Sequence, residues 1–232
     1  MAVVEAVAVV EAGALTKSYL DLVALGPVDL TVDAGELVVV VGHNGSGKST
    51  LLGLCAGLLE PTDGKLTVAG HPAGSFEARA AVSYLPDQPV LYDDLSVVEH
   101  LEYVARLHGV QDWEARGREL LGRLGLEARA DDLPSRFSRG LRQKTSIALA
   151  FVRPFRLLLV DEPFVGLDPY GKATIVELLE EAHGAGAAVM VATHQLDFLE
   201  RAGRCVALRD GQVAFDGAAG AADVDQLVLG ET

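Results

Sequence analysis

An α/β fold on a mainly parallel sheet is predicted by three features of this chain. Strand-length apolar runs alternate with helical patterns, a glycine-rich loop joins one such run to a helix, and another run ends in two adjacent carboxylates. Runs as apolar as Leu37–Val41 and Leu157–Asp161 suit strands buried on both faces, the usual state of parallel strands covered by helices.

From the start to about residue 85 the pattern is of short strands, at 2–10, 28–32, 37–41, 66–68 and 81–85. They are separated by the turn signals Asp33-Ala34-Gly35, Thr62-Asp63-Gly64 and Gly70-His71-Pro72. The one clear early helix follows the glycine-rich loop, in the leucine-rich LLGLCAGLL. Residues 86–137 change character: 96–108 and 112–124 carry helical periodicity, with Gly109 and Gly125 as stops. A further helix is expected at about 138–152. Strand chemistry returns at 157–161, 187–193, 205–208 and 212–215, with a helix at about 170–183 between the first two. No internal repeat is visible, and the Ala/Gly-rich tail 217–232 is too short for a regulatory domain.

A chain of 232 residues has room for one large α/β domain with a subdomain. Its net charge of −14 argues against a protein that wraps duplex nucleic acid. The largest basic cluster, Arg136, Arg139, Arg142 and Lys144, falls in one short segment. Cys55 and Cys205, the only cysteines, read as small apolar packers rather than a disulfide or a metal site. No apolar run approaches the roughly 18–20 residues of a membrane span. The N-terminal MAVVEAVAVVEAG lacks a basic region and is interrupted by Glu5 and Glu11, so it is expected to be a strand and not a signal peptide. The expectation is a soluble, cytosolic protein that serves a membrane, if at all, as a peripheral subunit.

Gly42-His43-Asn44-Gly45-Ser46-Gly47-Lys48-Ser49-Thr50 follows the run 37–41 and opens a helix, the setting in which a Gly-x-x-x-x-Gly-Lys-[Ser/Thr] loop binds phosphate. Gly42, Gly45 and Gly47 let the chain curl so that successive N–H groups point inward, and the helix adds its positive N-terminal end. Lys48 is expected to reach the β- and γ-phosphates and the Ser49 hydroxyl to ligate Mg²⁺. Leu157-Leu158-Leu159-Val160 then runs into Asp161-Glu162-Pro163. On a parallel sheet, ligands sit at the carboxyl ends of strands, where the phosphate loop also lies. Asp161 is placed to hold the Mg²⁺ shell and Glu162 to orient and deprotonate an attacking water. Alone, such a pair of acids could equally cap the following turn.

With these motifs the chain resembles an ABC-type ATPase, the nucleotide-binding subunit of an ATP-binding cassette transporter, over nearly its whole length. Phe137-Ser138-Arg139-Gly140-Leu141 stands where the family carries its LSGGQ-like signature. Gly166-Leu167-Asp168-Pro169 is similar to the D-loop, His194 in Val191-Ala192-Thr193-His194 to the switch histidine, and Tyr19 to the aromatic that stacks on adenine. Taken singly, these have plain structural readings: Ser138 as an N-cap, Tyr19 as a strand-edge aromatic, His194 as a satisfied loop histidine. The resemblance implies a P-loop NTPase core with a mainly parallel sheet, an N-terminal antiparallel β subdomain and an inserted α-helical subdomain. Residues 1–232 would then be one domain. About 1–86 and 153–232 form the RecA-like core with the β subdomain, and about 87–152 form the helical subdomain with the signature. ATP and Mg²⁺ are the implied cofactors. Ser138, Arg139 and Gly140, at a helix start, are expected to meet the γ-phosphate bound by a second ATP-binding subunit, in a homo- or heterodimer that sandwiches two ATP. The basic cluster around that helix start is then expected to serve nucleotide charge.

The other implied partner is an integral-membrane permease. It would hold this subunit at the cytoplasmic face of the inner or plasma membrane, with 91–95 as the expected contact surface and 86–107 transmitting motion. A soluble cassette acting on nucleic acid or ribosomes is the alternative; one cassette without a long insertion, at this charge, disfavours it. Two positions depart from the family pattern. Asp87 stands where a Gln is usual, with Gln88 one place later, and Asp87 is expected to face the metal and its water. An acid there is similar to the exporter branch. The signature reads Ser-Arg-Gly-Leu for the usual Ser-Gly-Gly-Gln, so that Arg139 either adds charge near the phosphate or marks a weakened site in a heterodimer.

Overall fold

The computed structural model describes residues 7–222. It opens with one long antiparallel hairpin, β1 (Ala8–Tyr19) and β2 (Leu22–Asp33). Of the strand expected at 2–10, residues 8–10 fall in β1, and 28–32 is only part of β2; residues 1–6 lie outside the described residues. Residues 11–27 lack clean alternation, so their strand character comes from pairing and not from local pattern. β3 (Leu37–Val41) runs through the phosphate loop into α1 (Lys48–Cys55), and β4 (Asp63–Val68) and β5 (His71–Pro72) return to the hairpin. The order β2-β1-β4-β5 makes a four-stranded antiparallel sheet.

The six-residue α2 (Phe76–Ala81), capped by the Ser75 hydroxyl, precedes β6 (Val82–Leu85). At less than two turns it had too few residues to show a helical period. α3 (Val97–Leu107) starts on a capping box in which Ser96 and Glu99 satisfy each other's backbone N–H groups. α4 (Glu114–Leu124) stops at Gly125, whose φ is 67°. α5 (Arg139–Phe151) starts from the Ser138 cap, and β7 (Leu157–Asp161) follows it. α6 (Pro169–Gly184) is capped by Asp168, with proline in its first turn, before β8 (Ala188–Ala192), β9 (Arg204–Arg209) and β10 (Gln212–Ala218). Residues 223–232 of the expected tail lie outside the described residues.

The second sheet has the order β10-β9-β3-β8-β7-β6, parallel throughout except for β10. Every residue of β3, β7 and β8 is buried. Alternate side chains divide between two cores, as the pleat requires. Val39, Val41, Leu158, Val160, Val189 and Val191 pack with Leu101, Leu120, Ile147 and Leu178 of α3 to α6. Val38, Val40, Leu157, Leu159 and Met190 pack with Leu51, Leu52 and Leu54 of α1 and with Val10 and Leu30 of the antiparallel sheet. Cys55 and Cys205 are buried free thiols, pushed up by burial to about 12 and about 11. Among the described residues no helix is long and apolar enough to cross a membrane.

Candidate active site

β3 and β7 flank β8, so their carboxyl ends bring the glycine-rich loop and the two acids to one edge of the sheet. The loop is shaped by its glycines. Gly42, Gly45 and Gly47 have φ of 150°, 84° and 106°, and a Cβ on Gly42 would overlap the Leu208 carbonyl and the Ser46 hydroxyl. Gly47 occupies the N-cap position of α1 and offers no side-chain cap, so the first-turn N–H groups keep their donor capacity. Lys48 Nζ donates to the Gly42 and His43 carbonyls at 2.7 and 3.2 Å, folded over the loop it belongs to. Burial holds the Lys48 ammonium below its ordinary range, against the opposing pull of Glu162 and then Asp161.

Asp161 closes β7 opposite Ala192 and is 3% exposed. Burial raises its carboxyl above the usual range; the Ser49 hydroxyl beside it pulls the other way, and Glu162 and Asp87 add to the rise. Its Oδ1 is buried with no protein partner, as is the Ser46 hydroxyl. A buried carboxylate oxygen without a donor fits a cation. Among the described residues no three His, Cys, Asp or Glu side chains form a cluster able to hold a metal unaided. Such a site suits Mg²⁺, which takes one or two carboxylates and completes its shell with water and substrate phosphate. Glu162 has a left-handed φ of 47° and donates its N–H to the Ala192 carbonyl at 2.8 Å. This strained conformation brings its carboxylate onto His194 from the end of β8, with Oε2 2.8 Å from Nδ1. With Glu162 ionised, Nδ1 is the donor.

A cavity of about 680 Å³ gathers Tyr19, Asn44, Gly45, Gly47, Lys48, Ser49, Thr50, Asp87, Asp161 and Glu162. Tyr19 is half exposed at its rim, with Lys17 Nζ 5.0 Å from the ring centroid. Gln88 is exposed and faces a separate groove with Pro89, Arg139 and Arg142. Ser138, Arg139, Gly140 and Asp168 do not line the nucleotide cavity. The Ser138 hydroxyl accepts from the Leu141 N–H at 3.4 Å, and Asp168 accepts from Gly171 N–H and Lys144 Nζ at 2.6 and 2.8 Å. Within the chain, then, Asp168 is a helix cap and an ion-pair partner.

The basic cluster also has partners within the chain. Lys144 is buried against Asp168, Arg142 donates to the Pro134 and Pro89 carbonyls, and Arg139 Nη2 lies 3.4 Å from Asp87 Oδ1. Lys144 and Arg142 are thus tied down inside the chain by acceptors from neighbouring loops, while the Arg139 side chain remains mostly exposed. Asp210, Leu22, Val23 and Ala24 also line the cavity, and sequence reasoning missed them. The available signal was Asp210-Gly211, a hairpin dipeptide at the end of a strand beside β3.

A model of the family described as ABC transporter matches residues 25–165. The chain belongs to the ABC transporter family. It is an ATPase of that family. EcsA of Bacillus subtilis (strain 168), an ABC-type transporter ATP-binding protein, is 36% identical over 88% of this chain and 84% of its own length. SkfE of the same organism, a SkfA peptide export ATP-binding protein, is 34% identical over 87% of this chain and 86% of its own. A solved dimeric structure, a post-hydrolysis state of the ATP-binding cassette MJ0796 bound to ADP and Pi, has a TM-score of 0.82 and 28% identity, covering 90% of this chain and 98% of that one.

Proposed function

We propose that this chain is the ATP-hydrolysing subunit of an ABC exporter, working as an ATP-sandwiched dimer on a separate permease. The observation that carries the reading is the single cavity that joins Lys48, Ser49, Asp87, Asp161 and Glu162. Lys48 exchanges its two loop carbonyls for the β- and γ-phosphates, and the uncapped first turn of α1 supplies further donors. The Ser49 hydroxyl and the Asp161 carboxylate, with Asp87 in the same cavity, would hold Mg²⁺, which would supply charge neutralisation at the phosphates. Glu162 accepts the proton of the attacking water as the bond from the γ-phosphorus to ADP breaks, and His194 orients the Glu162 carboxylate. Tyr19 stacks on the adenine.

The second subunit, in a homo- or heterodimer, brings Ser138, Arg139 and Gly140 to the γ-phosphate. This is supported by the exposed start of α5, which lies outside its own chain's nucleotide cavity, and by the dimeric relative. Residues 87–152 form a helical subdomain within the single domain 1–232. Segment 91–95 contacts the permease: Tyr92 is exposed and packs edge-on against Tyr103, with ring centroids 5.5 Å apart. A groove of about 940 Å³ bearing exposed Leu58, Phe76 and Leu107 offers the same partner a second apolar surface. Through the permease, the subunit sits on the cytoplasmic face of the membrane. Export is supported by the export relative and by the acid at Asp87.

Glu162→Gln tests the reading. It should keep ATP binding, abolish phosphate release and accumulate an ATP-bound dimer on gel filtration. Hydrolysis at the rate of the unaltered protein would remove Glu162 as the base.

A further inference from the structure

β9 runs parallel to β3 with Ala207 opposite Val41, so its end arrives beside the start of the phosphate loop. There the chain reverses into β10 with Arg209 opposite Gln212, leaving Asp210 and Gly211 as a two-residue turn with φ of 50° and 79°. Two consecutive left-handed residues make a type I′ hairpin turn, and Asp-Gly is among the pairs that adopt it most readily. The turn's outward groups are not spent within the hairpin. Gly211 N–H donates to the Ser46 carbonyl at 3.1 Å, and the Gly211 carbonyl accepts from Gly26 N–H of β2 at 2.7 Å. The Asp210 carboxylate lies 3.5 Å from His43 Nε2, and the His43 Nδ1 lies 2.8 Å from the Asn44 carbonyl. The Leu208 carbonyl walls Gly42, and the Ala24 carbonyl and the Gly211 Cα wall Gly47.

A phosphate loop works through the direction of its amides, and a trans peptide unit points its C=O and N–H in opposite directions. Holding the Ser46 carbonyl on Gly211 therefore turns the Gly47 N–H away from Gly211, which does not line the cavity as Gly47 does. We propose that the Asp210–Gly211 turn is a positioning element of the phosphate loop: Gly211 sets the Ser46–Gly47 peptide plane, and Asp210 anchors His43 and Asn44. Gly211 touches the loop from outside the cavity and acts through backbone orientation, whereas the Asp210 carboxylate lies at the cavity wall. The proposal rests on the phosphate-binding reading of the loop.

Asp210 also puts a negative charge at the mouth of a site for an anion. Its replacement must therefore be read between two neutral variants. Asp210→Asn keeps a residue that tolerates the left-handed conformation and an acceptor for His43, whereas Asp210→Ala keeps neither. Calorimetric titration of each full-length variant with Mg–ATP should give the Asn variant a Kd close to that of the unaltered chain and the Ala variant a Kd about 3- to 5-fold weaker, the scale of one exposed polar contact. In ¹⁵N-labelled protein the Gly47 amide should shift in the Ala variant and return in the Asn variant. Gly211→Ala places a Cβ 3.1 Å from the Ala24 carbonyl at a φ of 79°, so the turn is strained and must shift against β2, and binding should weaken more than in Asp210→Ala. Equal Kd values for Asp210→Ala and Asp210→Asn overturn the proposal, as does an unchanged Kd for Gly211→Ala. Failure of the unaltered chain to bind Mg–ATP refutes instead the phosphate reading on which it rests.

Discussion

Replacing Asp168 separates two contributions that meet in one carboxylate. Oδ1 accepts from Gly171 N–H at 2.6 Å and caps α6, while Oδ2 accepts from Lys144 Nζ at 2.8 Å and ties α5 to the segment after β7. Asp168→Asn keeps a good cap and loses the charge; Asp168→Ala loses both. The Lys144 side chain is 11% exposed but that of Asp168 is 56%, so solvent screens one side of the pair and about 1 kcal/mol is a fair value for it. The cap adds about 1 kcal/mol. The Asn variant should thus lose about 1 and the Ala variant about 2 kcal/mol, the latter lowering Tm by about 4–8 °C in a chain of this size. Urea midpoints at pH 7 measure both, and in a Lys144→Met background Asp168→Asn should cost close to nothing. Lys144, and then the Gly171 N–H, hold the Asp168 carboxyl below its ordinary range. A depressed folded pKa gives stability that is present above the unfolded value of about 3.9 and is lost as pH falls through the folded one. The gap between the unaltered chain and Asp168→Asn should therefore persist from pH 7 to about pH 4 and close below it. Equal stability of the Asn and Ala variants would refute the cap, and a gap undiminished at about pH 2 would refute the ion pair.

Asp87→Ala should reduce Mg²⁺-dependent phosphate release more than Gln88→Ala, because Asp87 lines the cavity and Gln88 does not; the reverse order would give Gln88 the metal-side role. Gly140→Ala places a Cβ 2.6 Å from the Gly166 carbonyl, and the first turn of α5 must back away from a rigid backbone neighbour. A loss of about 1–3 kcal/mol by urea unfolding is expected, and an unchanged midpoint would show that the 166 segment yields freely.

The sheet and its site were legible to different depths. β3, β7 and β8 are buried on both faces, so their sequences are continuously apolar and could be read without knowing any partner. The phosphate loop was equally plain, because its glycines answer to local backbone geometry. The β1–β2 hairpin was half missed, since its middle residues owe their conformation to register and not to pattern. Asp210 was missed for a related reason: it reaches the cavity only because β9 happens to be the parallel neighbour of β3, a fact of strand order that no local window holds. The intrachain partners of the basic cluster were not legible, because charge is visible in sequence and its partners are not. Lys144 and Asp168 stand 24 residues apart, and only the packing of α5 on the post-β7 segment joins them.

The same packing makes sense of the two departures from the family pattern, which look independent along the chain. Asp87 adds a carboxylate to a cavity wall that already holds Asp161, Glu162 and Asp210, with Lys48 as the basic residue in the same wall. Arg139 Nη2 lies 3.4 Å from Asp87 Oδ1, and a Cβ added to Gly166 would meet the Arg139 stem at 3.3 Å. An uncharged pair at these positions would need no compensation, whereas an acid at 87 alone would leave charge repelling the phosphates, and a base at 139 alone would lack an acceptor. Both side chains are partly exposed, so the pair contributes little stability. Its consequence is electrostatic and local. Arg139 lowers the negative potential that Asp87 brings to the nucleotide cavity, while joining the start of α5 to the segment that leaves β6.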